Sequence, residues 1–169
     1  MEAALLAFSE STGIYAFMTS PWGWPFVESL HFIGLSLLVG CVGLFDLRLL
    51  GVAPAIPLPA LHRLIPFGVL GFGLNVATGL MFVSTMPDQY LYNPSFQSKL
   101  LCMLLAGLNM ALFYGSTARA ALEPGAPVAV LRRARLFGAL SLLFWSGVII
   151  GGRLITFYRP PYHWCFWCG

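Results

Sequence analysis

Four stretches of this chain are apolar almost throughout, and short polar, proline-bearing segments separate them. A helix needs about 20 predominantly apolar residues to cross a bilayer. The pattern predicts membrane helices at about 25–50, 61–86, 97–120 and 132–158. Pro54, Pro57, Pro59, Pro124 and Pro127 fall in the connections, where a missing backbone donor carries no cost. Residues 1–24 mix apolar clusters with the polar run "SESTG". That segment is too polar to cross and too apolar for a free tail, so it is expected at the interface, with Trp22 and Trp24 as headgroup-level anchors. The expected fold class is all-α: one integral membrane domain, a four-transmembrane-helix bundle with an N-terminal interfacial segment and a tail over 159–169.

Composition agrees. Of 169 residues, 59% are hydrophobic and 9% charged, whereas a soluble domain carries about 25% charged residues. The net charge of +3 is small and scattered, which excludes nucleic acid as a partner and leaves the lipid bilayer as the first one. The opening residues, "MEAALLAFSE", are acidic and lead into no early apolar run, so the first membrane helix is expected to act as its own insertion signal.

The basic residues give a direction. Arg48, Arg63, Arg119, Arg132, Arg133 and Arg135 flank the first and third connections, against Lys99, Arg153 and Arg159 on the other side. Six against three puts those two connections in the cytoplasm and both termini outside. Depth then follows from the helical rise of about 1.5 Å per residue. His31 lies about 9 Å into the first span from the outer side, in the layer where Lys99 opens the third span and Arg153 nears the end of the fourth. His62 begins the second span about 25 to 30 Å away, and cannot share a ligand with His31. Asp46, Arg48, Arg63 and Arg135 are expected to form a charge network at the cytoplasmic surface.

An ionisable group within a span is costly and commonly marks function. An imidazole is a good iron ligand, and the propionates of a haem held between helices seek cations. His31 is therefore a candidate haem-iron ligand, Glu28 one turn above it a candidate acceptor for the other ring nitrogen, and Lys99 and Arg153 candidate propionate partners. On the second span Gly71, Asn75 and Gly79 follow at i, i+4 and i+8, a shallow face that could admit a planar macrocycle or serve close helix packing. Cys41 and Cys102 fall inside spans, where a thiol behaves as a small apolar group. The tail "PPYHWCFWCG" offers His163 as a candidate second axial ligand and Cys165 with Cys168 as a candidate disulfide, without the histidine of a C-x-x-C-H haem attachment site.

The strings "ESLHFIGLSLLVGCVGLFDLRLLG", "LHRLIPFGVLGFGLNVATGLMF" and "NPSFQSKLLCMLLAGLN" resemble an uncharacterised family of four-helix bacterial membrane proteins. More distantly, His31, Gly40, Arg48 with Leu49, and Lys99 are similar to the pattern of the HemJ-type protoporphyrinogen oxidases and the CopD-type copper-resistance proteins. The resemblance implies a multi-pass protein of the bacterial cell membrane with a haem b on His31. For the HemJ type it also implies porphyrin oxidation in which the lysine takes part.

Three functions are thus expected to compete. The first is haem-mediated electron transfer with a quinone or protein partner, in a larger complex or a homo-oligomer. The second is a HemJ-like porphyrin(ogen) oxidase. The third is a cofactor-free structural subunit of a membrane assembly, for which the 15% aromatic content and the glycine-rich helices speak.

Overall fold

The computed structural model describes residues 1–123 and 125–159, so the expectations for His163, Cys165 and Cys168 lie outside the described residues. The chain runs through α1 (Glu2–Ser11), α2 (Ile14–Met18), α3 (Gly23–Leu49), α4 (Leu58–His62), α5 (Ile65–Thr85), α6 (Pro87–Leu91), α7 (Pro94–Ser116), α8 (Ala118–Leu122) and α9 (Val128–Leu154), with a 3-10 turn over Ile155–Phe157. Four helical stretches, led by α3, α5, α7 and α9, are long and apolar enough to cross a membrane. The protein is an all-α, multi-pass four-helix bundle. Its outer surface is apolar: Leu70, Leu80, Leu104 and Leu143 are 63% or more exposed, which suits lipid and not water.

Local signals set the ends of these helices. α3 stops at a Schellman motif, in which Gly51 adopts φ 98°, its N–H donating to the Arg48 carbonyl and that of Val52 to the Leu47 carbonyl. Arg48 then donates to the carbonyls of Ile56 and Pro54, tying down the loop that follows. The second span arrives in two pieces, α4 and α5, and Pro66 sits in the first turn of α5, where its missing N–H is not needed. α7 begins at Asn93, whose Oδ1 accepts from the Ser95 and Phe96 amides, with Pro94 at the first helical position. The same side chain is fully buried, and its Nδ2 donates to the carbonyls of Ile155 and Tyr158, so one amide starts α7 and clasps the end of α9.

α3 packs along α5 and against α9, and α9 packs along α7. Glycines permit these approaches. A Cβ at Gly34 would lie 2.6 Å from Asn75 Nδ2 and 2.9 Å from the Gly71 carbonyl oxygen. At the other crossing a Cβ at Gly147 would lie 2.7 Å from Cys102 Sγ, so the half-buried Cys102 thiol is a packing group, as expected for a cysteine in a span.

The N-terminal segment is more than a surface-lying strip. α1 packs on α5 and α6, and α2 packs on α5 and α3, burying Ser9 and Met18. Gly23 sits against the Phe17 carbonyl, which only a residue without a Cβ permits. Trp22 is 80% exposed, as a headgroup anchor would be, but Trp24 is not an anchor of that kind. Its ring lies 4.8 Å from that of Phe82 on α5, because the cap turns it inward.

Candidate functional site

His31 stands near the capped end of the bundle, half-buried between α3 and α5. Its Nδ1 lies 2.7 Å from Thr78 Oγ1, and Thr78 Oγ1 lies 2.7 Å from the Leu74 carbonyl. Two such short contacts share one hydroxyl hydrogen. The carbonyl can only accept, so the hydroxyl hydrogen goes to Leu74, and the hydrogen in the other contact must come from the imidazole. With its hydrogen on Nδ1, the neutral ring has the Nε2 lone pair open to a ligand. Phe82 closes in edge-on at 5.7 Å between centroids, and Gly79 lies beside the ring, a Cβ there being 4.0 Å from Cε1.

Glu28 is not the acceptor for this ring. Thr78 holds Nδ1, while Glu28 is exposed and acts on Tyr90, outside the spans. Burial pushes the Tyr90 phenol up to about 12, with Arg159 opposing and Glu28 adding to the rise. Asn75 is no cofactor contact either. Its Nδ2 donates to the Gly71 carbonyl within its own helix, and the Gly71 and Asn75 part of the shallow face is filled by Gly34 and Leu38 of α3. The face that could have admitted a macrocycle serves helix packing.

Lys99 does share the layer of His31, near enough for its charge to act on the imidazole. Its stem lies along Gly151 and Gly152 of α9: a Cβ at Gly151 would be 3.1 Å from Lys99 Cβ, and one at Gly152 would be 3.5 Å from Nζ. Arg153 follows directly, exposed in the last turn of α9. His62 is elsewhere, as its sequence depth requires: Nε2 meets the Tyr114 hydroxyl at 2.9 Å, and its ring packs on Phe45.

The expected surface charge network around Asp46 does not form. Asp46 is 4% exposed and turns into the bundle, while Arg48 spends itself on backbone carbonyls. Both residues lie in the last turn of α3, and two positions along a helix are about 200° apart, so Asp46 faces inward while Arg48 faces the following loop.

Among the described residues no three His, Cys, Asp or Glu side chains come together to hold a bare metal ion. A porphyrin brings four nitrogens of its own and needs one axial base from the chain. The donor set at His31 fits that demand: one imidazole of fixed tautomer, with a cation in its layer. Thr78 was missed by sequence reasoning, although Gly68, Gly71, Asn75, Thr78 and Phe82 follow a 3-4-3-4 spacing that marks one helix face. No family model, no curated protein and no solved structure matches the chain, so its own geometry carries the functional reading.

Proposed function

We propose that the protein holds one b-type haem with His31 Nε2 as iron ligand, and passes electrons between a quinone or protein partner and the outer side of a bacterial cell membrane. The reading rests on one observation, the pair of 2.7 Å contacts that fix His31 as the Nδ1–H tautomer and leave Nε2 free to ligate. Metal-bound histidines commonly hold their second nitrogen in this way. Lys99 and Arg153 would face the propionates, and the haem, when bound, supplies one-electron iron chemistry. The chain's own part is to lock the imidazole in orientation, to place a cation in its layer and to pack Phe82 and Trp24 over that end of the bundle. The distribution of Lys and Arg supports both termini outside.

The position of Lys99 also favours a second reading, a porphyrin(ogen) oxidase in which its ammonium orients substrate carboxylates. Absorption spectra of the purified protein test both. The parent should show a Soret band that reduces with b-type features, and His31→Ala should lose it while still inserting. Thr78→Val should keep the ligand but bind haem about 10- to 100-fold more weakly. Porphyrinogen-dependent turnover would move the second reading to first place. A featureless spectrum of the parent overturns both and leaves the cofactor-free structural subunit.

A further inference from the structure

Along α3 from His31, from about 10 Å at Leu38 to about 27 Å at Leu49 by the rise of an α-helix, lies a cavity that the haem reading does not use. It occupies about 130 Å³ between all four long helices, with Asp46 and Ser141 in its wall. A cavity of about 150 Å³ lined by apolar side chains is known to accept benzene. Aromatic rings form part of its wall: Phe45 and Phe113 meet edge to face at 6.0 Å, Phe113 and Phe137 at 5.7 Å, and Phe72 and Trp145 at 6.1 Å. It reaches the outside of the bundle where α5 and α7 contribute Val69, 53% exposed, and Met110, 47% exposed.

Two polar side chains of that wall are held by neighbours. Asn109 donates to the Phe137 carbonyl, and the Tyr114 hydroxyl is held by His62. Ser141 stands beside the Asp46 carboxyl in the same wall. Asp46 Oδ2 alone is buried without a partner. A buried carboxyl oxygen without a donor is costly, which makes that oxygen the handle for a ligand.

We infer that this cavity binds the single aromatic ring of a phenol or hydroquinone, the ring seated among the phenylalanines and its hydroxyl donating to Asp46 Oδ2. One ring matches the volume, one donor matches the one orphaned acceptor, and the gap between α5 and α7 lets a substituent on the ring run out into lipid.

Calorimetric titration of the purified protein with 4-heptylphenol and with heptylbenzene, which differ by the hydroxyl alone, tests this. The parent should bind the phenol about two- to tenfold more tightly than the hydrocarbon, the range for one hydrogen bond. Asp46→Leu should abolish the preference. That variant replaces an orphaned carboxylate with an apolar group, a change often neutral or stabilising. Gly107 lines the cavity, is exposed, and has nothing within 4 Å of an added Cβ, so Gly107→Leu folds without clash and should weaken both ligands by obstructing the mouth. Unsubstituted phenol competing as well as heptylphenol would point to a free phenol, and weaker competition to a lipid-borne hydroquinone. Equal affinity of the parent for the two heptyl compounds, an unchanged preference in Asp46→Leu, or no binding at all overturns the inference.

Discussion

Replacing Gly71 with Ala inserts a methyl group into the contact between α3 and α5. A Cβ there would lie 2.5 Å from the Gly34 carbonyl oxygen and 2.8 Å from the Leu38 amide nitrogen. Both neighbours are backbone and cannot rotate aside. Ordinary contact begins at 3.4 Å, so the two helices must part by about 0.9 Å, and overpacking of this kind costs about 1 to 3 kcal/mol. The displacement reaches the site: His31 lies three residues before Gly34, and its 2.7 Å contact with Thr78 would stretch beyond hydrogen-bonding distance. Gly73→Ala is the matched control. A Cβ at Gly73 meets nothing within 4 Å, so that change should be neutral or gain up to about 1 kcal/mol of helix propensity. Unfolding by SDS in mixed micelles, followed by far-UV circular dichroism, gives the two stabilities. Nitrogen-15 shifts of labelled histidine report whether Nδ1 of His31 alone carries a hydrogen. The reasoning is refuted if the two alanine variants are equally stable, or if Gly71→Ala leaves the His31 shifts unchanged.

Other outcomes follow from other parts of the molecule. Asn93→Ala removes the cap of α7 and the clasp on α9 together, and should lose about 2 to 4 kcal/mol in the same SDS titration; Asn93→Asp keeps the accepting half and should lose less. Tyr90 should ionise near pH 12 in an absorbance titration at high pH, well above an ordinary phenol. Because its folded value exceeds the unfolded one, the stability it contributes is complete below pH 10 and is lost as pH rises toward 12, and Tyr90→Phe should remove that slope. A reporter joined after Gly169 should appear outside the cytoplasm and one inserted near Pro57 inside; the reverse would invert the orientation drawn from the basic residues. His62→Ala should leave any Soret band intact, since His62 bonds Tyr114 at the far end of the bundle.

The long spans were legible because length and apolarity alone define a bilayer crossing, and because prolines mark where the helices begin. The depth separating His31 from His62 was legible for the same reason: helical rise converts position into height. Azimuth was another matter. A helix that is apolar all round carries little sign of which face meets its neighbour, so the face with Gly71 and Asn75 could be read as a cradle or as a packing surface. Asp46 misled in a similar way. A carboxylate in the last turn of a span, two residues from an arginine, looks like surface charge, yet two positions along a helix point to opposite sides, and only packing decides which of them faces inward. Glu28 at i−3 was the nearest acceptor for His31 along the chain, whereas the one it uses, Thr78, comes from another helix 47 positions away.

The cap made by α1 and α2 bears on how the protein is assembled. These helices leave the ribosome before α5 and α6, which supply much of the surface they cover some fifty or more residues later. Until the second span has been released into the membrane, α1 lacks the α5 and α6 surfaces it packs on, and the end of the bundle that holds His31 stays open. A segment made before α5 thus reaches its place only after it. Any group too large to pass the closed cap has its chance to enter during that interval, while the chain is still being built.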